Sequence, residues 1–67
     1  MKMNAKHMSE ERFQTRLADL LENAMESRGG FVTSFADDGI LTSNHGLVVH
    51  MGNGQEFQIT IVDSTRG

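Results

Sequence analysis

Histidines and aspartates come close together in the second half of the chain, and side chains of these types bind metals. His45 and His50 follow the pair Asp37-Asp38. A zinc site needs three or four converging ligands, and the chain has no cysteine to complete one. A calcium loop spreads its oxygen ligands over about twelve residues and closes with glutamate, whereas only Asp37-Asp38-Gly39 matches it here. We therefore predict a turn at 37–39 and no metal site.

Glycine and serine are the other residue types with possible chemistry. Gly52-Asn53-Gly54 could begin a phosphate-binding loop, but such loops continue with a third glycine or with Gly-Lys-Ser/Thr and lead into a helix. A strand pattern follows instead, which predicts a hairpin turn. The serines lack the Gly-x-Ser-x-Gly context of a nucleophile, and shifted pKa values are not expected for carboxylates on a helix surface. The sequence predicts no catalytic residue, no cofactor and no enzymatic activity.

One amphipathic helix is the first element that could position any site. Ser9 is a favourable N-cap, and the acidic Glu10-Glu11 pair that follows suits the first turn of a helix. Gly29-Gly30 ends the pattern as a left-handed cap would. The sequence therefore predicts a helix over about 9–28. Its apolar residues fall within an arc of roughly 100°, with Met25 at the edge; they are Phe13, Leu17, Leu20, Leu21 and Ala24.

Short alternating segments separated by turn residues follow the helix and predict a sheet. We expect strands at 31–35, 40–43, 47–51 and 56–62. The predicted fold class is α+β, with one N-terminal amphipathic helix packed on a three- or four-stranded antiparallel β-meander, αββββ, or αβββ if 40–43 is irregular. The predicted core combines the apolar arc of the helix with one face of the sheet, namely Phe31, Phe35, Leu47, Val49, Phe57, Ile59 and Ile61.

The 67 residues are enough for one domain, which we place at 9–62. We interpret 1–8 as a disordered tail or an expression leader, and 63–67 as a flexible tail. So short a chain buries a modest share of its surface, which makes a homodimer an option. The expected contact is an edge of the sheet or its second face, which carries Val48 and Val62.

Charge and hydropathy limit the partners. The net charge is −3 and the six lysines and arginines are scattered, which argues against nucleic acid because its binders carry a basic patch. No apolar run approaches the roughly 18 residues of a membrane span, and no signal peptide is evident. We expect no membrane association and a cytoplasmic location.

The polar side of the predicted helix carries four acidic residues within an arc of about 80°, opposite the apolar side. They are the candidate partner-binding residues, Glu11, Asp19, Glu22 and Glu26. Two interpretations stand: an ordinary solvated helix face, or an acidic ridge that docks on a basic surface of a protein partner.

A glycine turn joins Gly-Leu-Val-Val at 46–49 to Glu-Phe-Gln-Ile-Thr-Ile-Val at 56–62. Through these residues the segment 39–62 resembles the C-terminal half of small accessory proteins encoded by bacteriophages. The resemblance implies a protein-interaction module that acts in a bacterial host cell by binding a host or phage protein. An anti-CRISPR-type inhibitor of a bacterial immune complex is one alternative, and a small nucleic-acid-associated regulator is another.

Overall fold

The computed structural model describes residues 7–65. Its first secondary-structure element is a helix. Helix α1 runs over Glu10–Met25 and continues into a short 3-10 turn at Glu26–Arg28. The Ser9 hydroxyl accepts a hydrogen bond from the backbone N–H of Arg12 at 3.0 Å, so it caps the first turn. Gly29 has a φ of 72°, the left-handed conformation that ends many helices. The predicted helix is confirmed, with both of its caps.

Three strands follow, β1 at Phe31–Ser34, β2 at His45–His50 and β3 at Glu56–Ile61. They form one antiparallel sheet in the order β1-β2-β3. The predicted α+β class is confirmed, in its αβββ form. The segment 40–43 is irregular because β1 leads into a turn, in which the backbone N–H of Ile40 donates to the Phe35 carbonyl at 2.9 Å.

The predicted glycine hairpin joins β2 to β3. The backbone N–H of Met51 donates to the Gln55 carbonyl at 2.8 Å, and that of Gly54 donates to the Met51 carbonyl at 3.0 Å. Gly54 has a φ of 94°. A three-residue hairpin loop commonly ends with a glycine in this conformation, so the turn sets the register of both strands.

One face of the sheet packs against α1. Its buried side chains belong to all three strands, and partly buried side chains of α1 cover them. The strand residues are Val32, Leu47, Val49 and Ile61, and the helix residues are Leu17, Ala18, Leu21 and Met25.

The opposite face has a small core of its own. Val48 is 0% exposed and lies there beside Thr33, its partner across the strands. The Phe35 ring covers Gly46 so closely that a Cβ at position 46 would overlap it. Our prediction that Phe31 and Phe35 face the helix is therefore wrong, and Val32 faces α1 instead. Because Gly46 has no side chain, it leaves room for the Phe35 ring on the face away from α1.

The predicted core is also wrong at several other positions, because α1 lies mainly over β1 and β2. Only part of its apolar arc reaches the sheet, and part of β3 is left uncovered. The exposed members of the predicted core are Phe13, Leu20, Ala24, Phe31 and Phe57.

Residues 1–6 of the predicted N-terminal tail and residues 66–67 of the predicted C-terminal tail lie outside the described part of the chain. Within that part, neither helical segment has the length and apolar character needed to cross a membrane.

Candidate functional site

The four candidate partner-binding residues all lie on the exposed surface of α1. They share the side of the helix that faces away from β3, with Thr15 between the first two. We call this set the acidic ridge: Glu11, Asp19, Glu22 and Glu26. Within residues 7–65, every ion pair involves a histidine, and none involves a member of this ridge. The ridge therefore presents carboxylates to solvent without a close positive partner in the described structure.

A second surface lies on the other flank of α1, where apolar side chains of the helix and of β3 meet solvent. Phe13 is 48% exposed, Leu20 is 67% exposed and Phe57 is 51% exposed. Phe13 and Leu17 line an open groove of about 550 Å³, whose other walls are the end of β3, the segment that follows it and the segment before α1. We call this surface the apolar seam, and it consists of Phe13, Leu17, Leu20, Phe57 and Ile59.

Among residues 7–65, no strand pairs with the outer edge of β3, and this free edge runs alongside the apolar seam. The bond from Met51 to Gln55 fixes which residues pair toward β2, since backbone groups of successive residues point to opposite sides of a strand. The backbone N–H and C=O groups that point toward β2, like those of Gln55, belong to Phe57, Ile59 and Ile61. The backbone N–H and C=O groups of the alternate residues point to the open edge; these residues are Glu56, Gln58 and Thr60.

A histidine cluster occupies the sheet face away from α1. The His50 ring stacks on Phe31, with centroids 4.4 Å apart and planes 13° apart. Its Nε2 lies 3.2 Å from Asp38 Oδ1 and 3.3 Å from Thr33 Oγ1, and its Nδ1 lies 3.5 Å from Glu56 Oε2. Because the two carboxylates lie on opposite sides of the ring, they cannot converge on one metal ion. The cluster connects β1, the following turn and β3.

A second polar cluster joins the segment before α1 to the segment after β3. The Glu10 carboxylate accepts a hydrogen bond from the backbone N–H of Asp63 at 2.6 Å and lies 3.1 Å from His45 Nδ1. These two contacts lower the pKa of Glu10. Hydrogen bonds from Thr65, and then the contact with His7 at 2.6 Å, lower the pKa of Asp63 to about 2.

The structure brings together some of the residues that the sequence singled out and separates others. Asp38 and His50 meet, whereas His45 pairs with Glu10 at the far end of β2. No three acidic or histidine side chains within 7–65 are placed to share a metal ion. Sequence analysis missed the His50 cluster and the apolar seam. One feature of the sequence indicated the seam: the apolar arc of the helix is wider than the part of the helix surface that a narrow sheet covers.

Similarity to a characterised protein would indicate which of these surfaces binds a partner. Comparisons with protein-family models, with curated proteins and with solved structures find no match for this chain.

Proposed function

We propose that this protein is a non-enzymatic interaction module that binds another protein through the acidic ridge. The observation that carries the proposal is the exposure of all four ridge carboxylates without a lysine or arginine partner in residues 7–65. Like charges at Glu22 and Glu26, one helical turn apart, slightly destabilise a helix. A basic surface on the partner would relieve that repulsion and orient the encounter.

The resemblance of 39–62 to phage accessory proteins supports a host or phage protein as the partner. Among such partners, a bacterial immune complex is the more specific alternative. Complexes that bind nucleic acid do so through basic surfaces, and an acidic ridge would compete for such a surface.

The first prediction concerns the ridge as a unit. We change Glu11, Glu22 and Glu26 to Gln and Asp19 to Asn in the intact chain, and compare proteins captured from a host lysate by each form. Exposed charge changes move stability by only about 0.5 kcal/mol, so circular dichroism should report an unchanged fold. We expect the captured partner to be lost, and capture by the native chain to weaken as salt rises.

A matched pair of single variants separates ridge position from total charge. Glu22→Gln changes the ridge, whereas Asp37→Asn makes the same change in net charge outside it. We expect only the ridge variant to weaken capture. Equal capture by the native chain and the quadruple variant at low salt would show that the ridge is an ordinary solvated face.

A further inference from the structure

We propose that two copies of this chain associate through β3, joining their sheets edge to edge so that the apolar seams of the two copies meet and pack against each other. The proposal is independent of the acidic ridge, since it concerns the opposite flank of α1 and a different strand. It names a second copy of this chain as the occupant of the seam.

The free edge of β3 has the properties of a strand that pairs. It offers the backbone groups of Glu56, Gln58 and Thr60 along a six-residue strand. Natural proteins protect exposed edges with proline, lysine, bulges or short strands. β3 contains neither proline nor lysine and pairs with β2 in continuous register. The other edge strand, β1, has four residues and ends in a turn, so β3 is the edge suited to pairing.

The sequence of β3 is complementary to itself when two copies run antiparallel about a two-fold axis at Gln58. In this register Glu56 lies opposite the partner's Thr60, and Phe57 lies opposite the partner's Ile59. The first pair places no like charges together. The second pair sits on the seam side and joins an aromatic to a β-branched side chain, a favourable cross-strand combination. A symmetric interface requires this kind of self-complementarity, which a different protein would not need.

The charge distribution allows the same arrangement. Glu56 is the only charged residue of β3, and the acidic ridge lies on the flank of α1 away from the seam. Pairing through β3 therefore keeps the two ridges apart, although each chain carries a net charge of −3. The arrangement also leaves both ridges accessible to another protein.

Coverage of α1 gives the energetic reason for association. Every side chain of α1 retains some solvent exposure in the single chain, although the helix is amphipathic. In the paired sheet both helices lie on the same face, on either side of the joined β3 strands. Phe57 and Ile59 of each copy then lie on the sheet between the helices and pack across the joined strands, with Phe13 and Leu20 at the border of this space. This packing removes apolar surface from water.

The test is the mass of the intact chain in solution, measured by sedimentation equilibrium over a range of micromolar concentrations. We expect a dimer of twice 7.4 kDa. Leu20→Lys places a charge in the seam, and Leu41→Lys makes the same change at a leucine that is 99% exposed outside it. We expect the first to weaken dimerisation at least about tenfold and the second to leave it unchanged, with the helical signal retained in both.

Cysteine cross-linking tests the register, since the native chain has no cysteine. Opposed hydrogen-bonded residues in an antiparallel pair have Cα atoms about 5.5 Å apart, within disulfide range. Gln58→Cys should therefore form a disulfide-linked dimer on mild oxidation. Glu56→Cys should not, because four residues of offset separate the two copies by more than about 13 Å. A monomer at all concentrations, equal effects of the two lysine variants, or equal cross-linking at 56 and 58 would each overturn the proposal.

Discussion

At the scale of single residues, histidine–carboxylate contacts connect segments that are distant in the sequence. His7 meets Asp63, His45 meets Glu10, and His50 lies beside two carboxylates. The contact of His7 with Asp63 and the hydrogen bond from the Asp63 backbone to Glu10 attach the start of α1 to the segment after β3. The contact of His45 with Glu10 attaches it to the start of β2. A short chain without disulfides gains connectivity from such contacts, and their strength depends on the charge of each carboxylate.

The contacts of Asp63 make the stability of the folded protein sensitive to acid. The pKa of Asp63 is lowered from 3.8 to about 2 in the folded protein, so ionisation of this carboxyl favours folding. Its contribution is fully present above about pH 4 and is lost as the pH falls through about 2. Asp63→Asn should therefore lower the melting temperature at neutral pH and reduce the loss seen on acidification from pH 5 to 2.

Asp37→Asn is the control for removing one negative charge, because Asp37 is exposed and its carboxylate makes no hydrogen bond within residues 7–65. Melting curves followed by circular dichroism provide the measurement. Parallel curves for the native chain and Asp63→Asn between pH 5 and 2 would contradict the role assigned to Asp63.

At the scale of elements, local signals predicted where each element begins, and tertiary packing decided which side is buried. The caps Ser9 and Gly29 and the hairpin glycine Gly54 are local features, and the helix and the β2–β3 turn form where they predict. Alternation in 31–35 correctly grouped Phe31 with Phe35 but could not say which face meets α1. The face is decided by Gly46 in β2, which has no side chain and therefore leaves room for the Phe35 ring on the face away from α1.

The difference between local sequence signals and tertiary packing also explains which candidate surfaces could be predicted from the sequence. The acidic ridge follows from helical periodicity alone, so its exposure could be predicted from the sequence. The apolar seam depends on α1 lying over β1 and β2 rather than over β3, which periodicity does not encode. The His50 cluster requires the turn after β1 to bring Asp38 beside β2, a long-range arrangement with no signature in residue spacing.

A helix cap gives the prediction for this scale. The Ser9 hydroxyl accepts the Arg12 backbone N–H at the start of α1, and an alanine there leaves that donor without its cap. Ser9→Ala should lower the free energy of unfolding by about 1 kcal/mol. Ser43→Ala, at an exposed serine in the irregular connection, should change it little. Urea denaturation of both variants measures the difference, and equal midpoints would show that the cap does not stabilise the domain.

At the scale of the whole molecule, α1 covers the sheet over β1 and β2 and leaves apolar side chains exposed on the β3 side. We call these the covered half and the open half. Within residues 7–65, the buried side chains belong to the strands and to Phe35, and the two that are fully buried, Leu47 and Val48, lie on the central strand β2. The open half consists of the apolar seam and the β3 edge, on one side of the molecule. Folding and association should therefore be linked, because the proposed dimer would bury apolar surface that one copy leaves exposed.

This linkage predicts that stability depends on protein concentration. A dimer that unfolds to separate chains gains stability by mass action as concentration rises, and for a domain of this size each tenfold increase should raise the melting temperature by a few degrees. Gln58→Pro removes a backbone N–H that points to the open edge, where a strand tolerates proline. Its melting temperature should be independent of concentration and should match that of the native chain at high dilution. A native chain with a concentration-independent melting temperature would show instead that each copy folds without the other, with the apolar seam left in water.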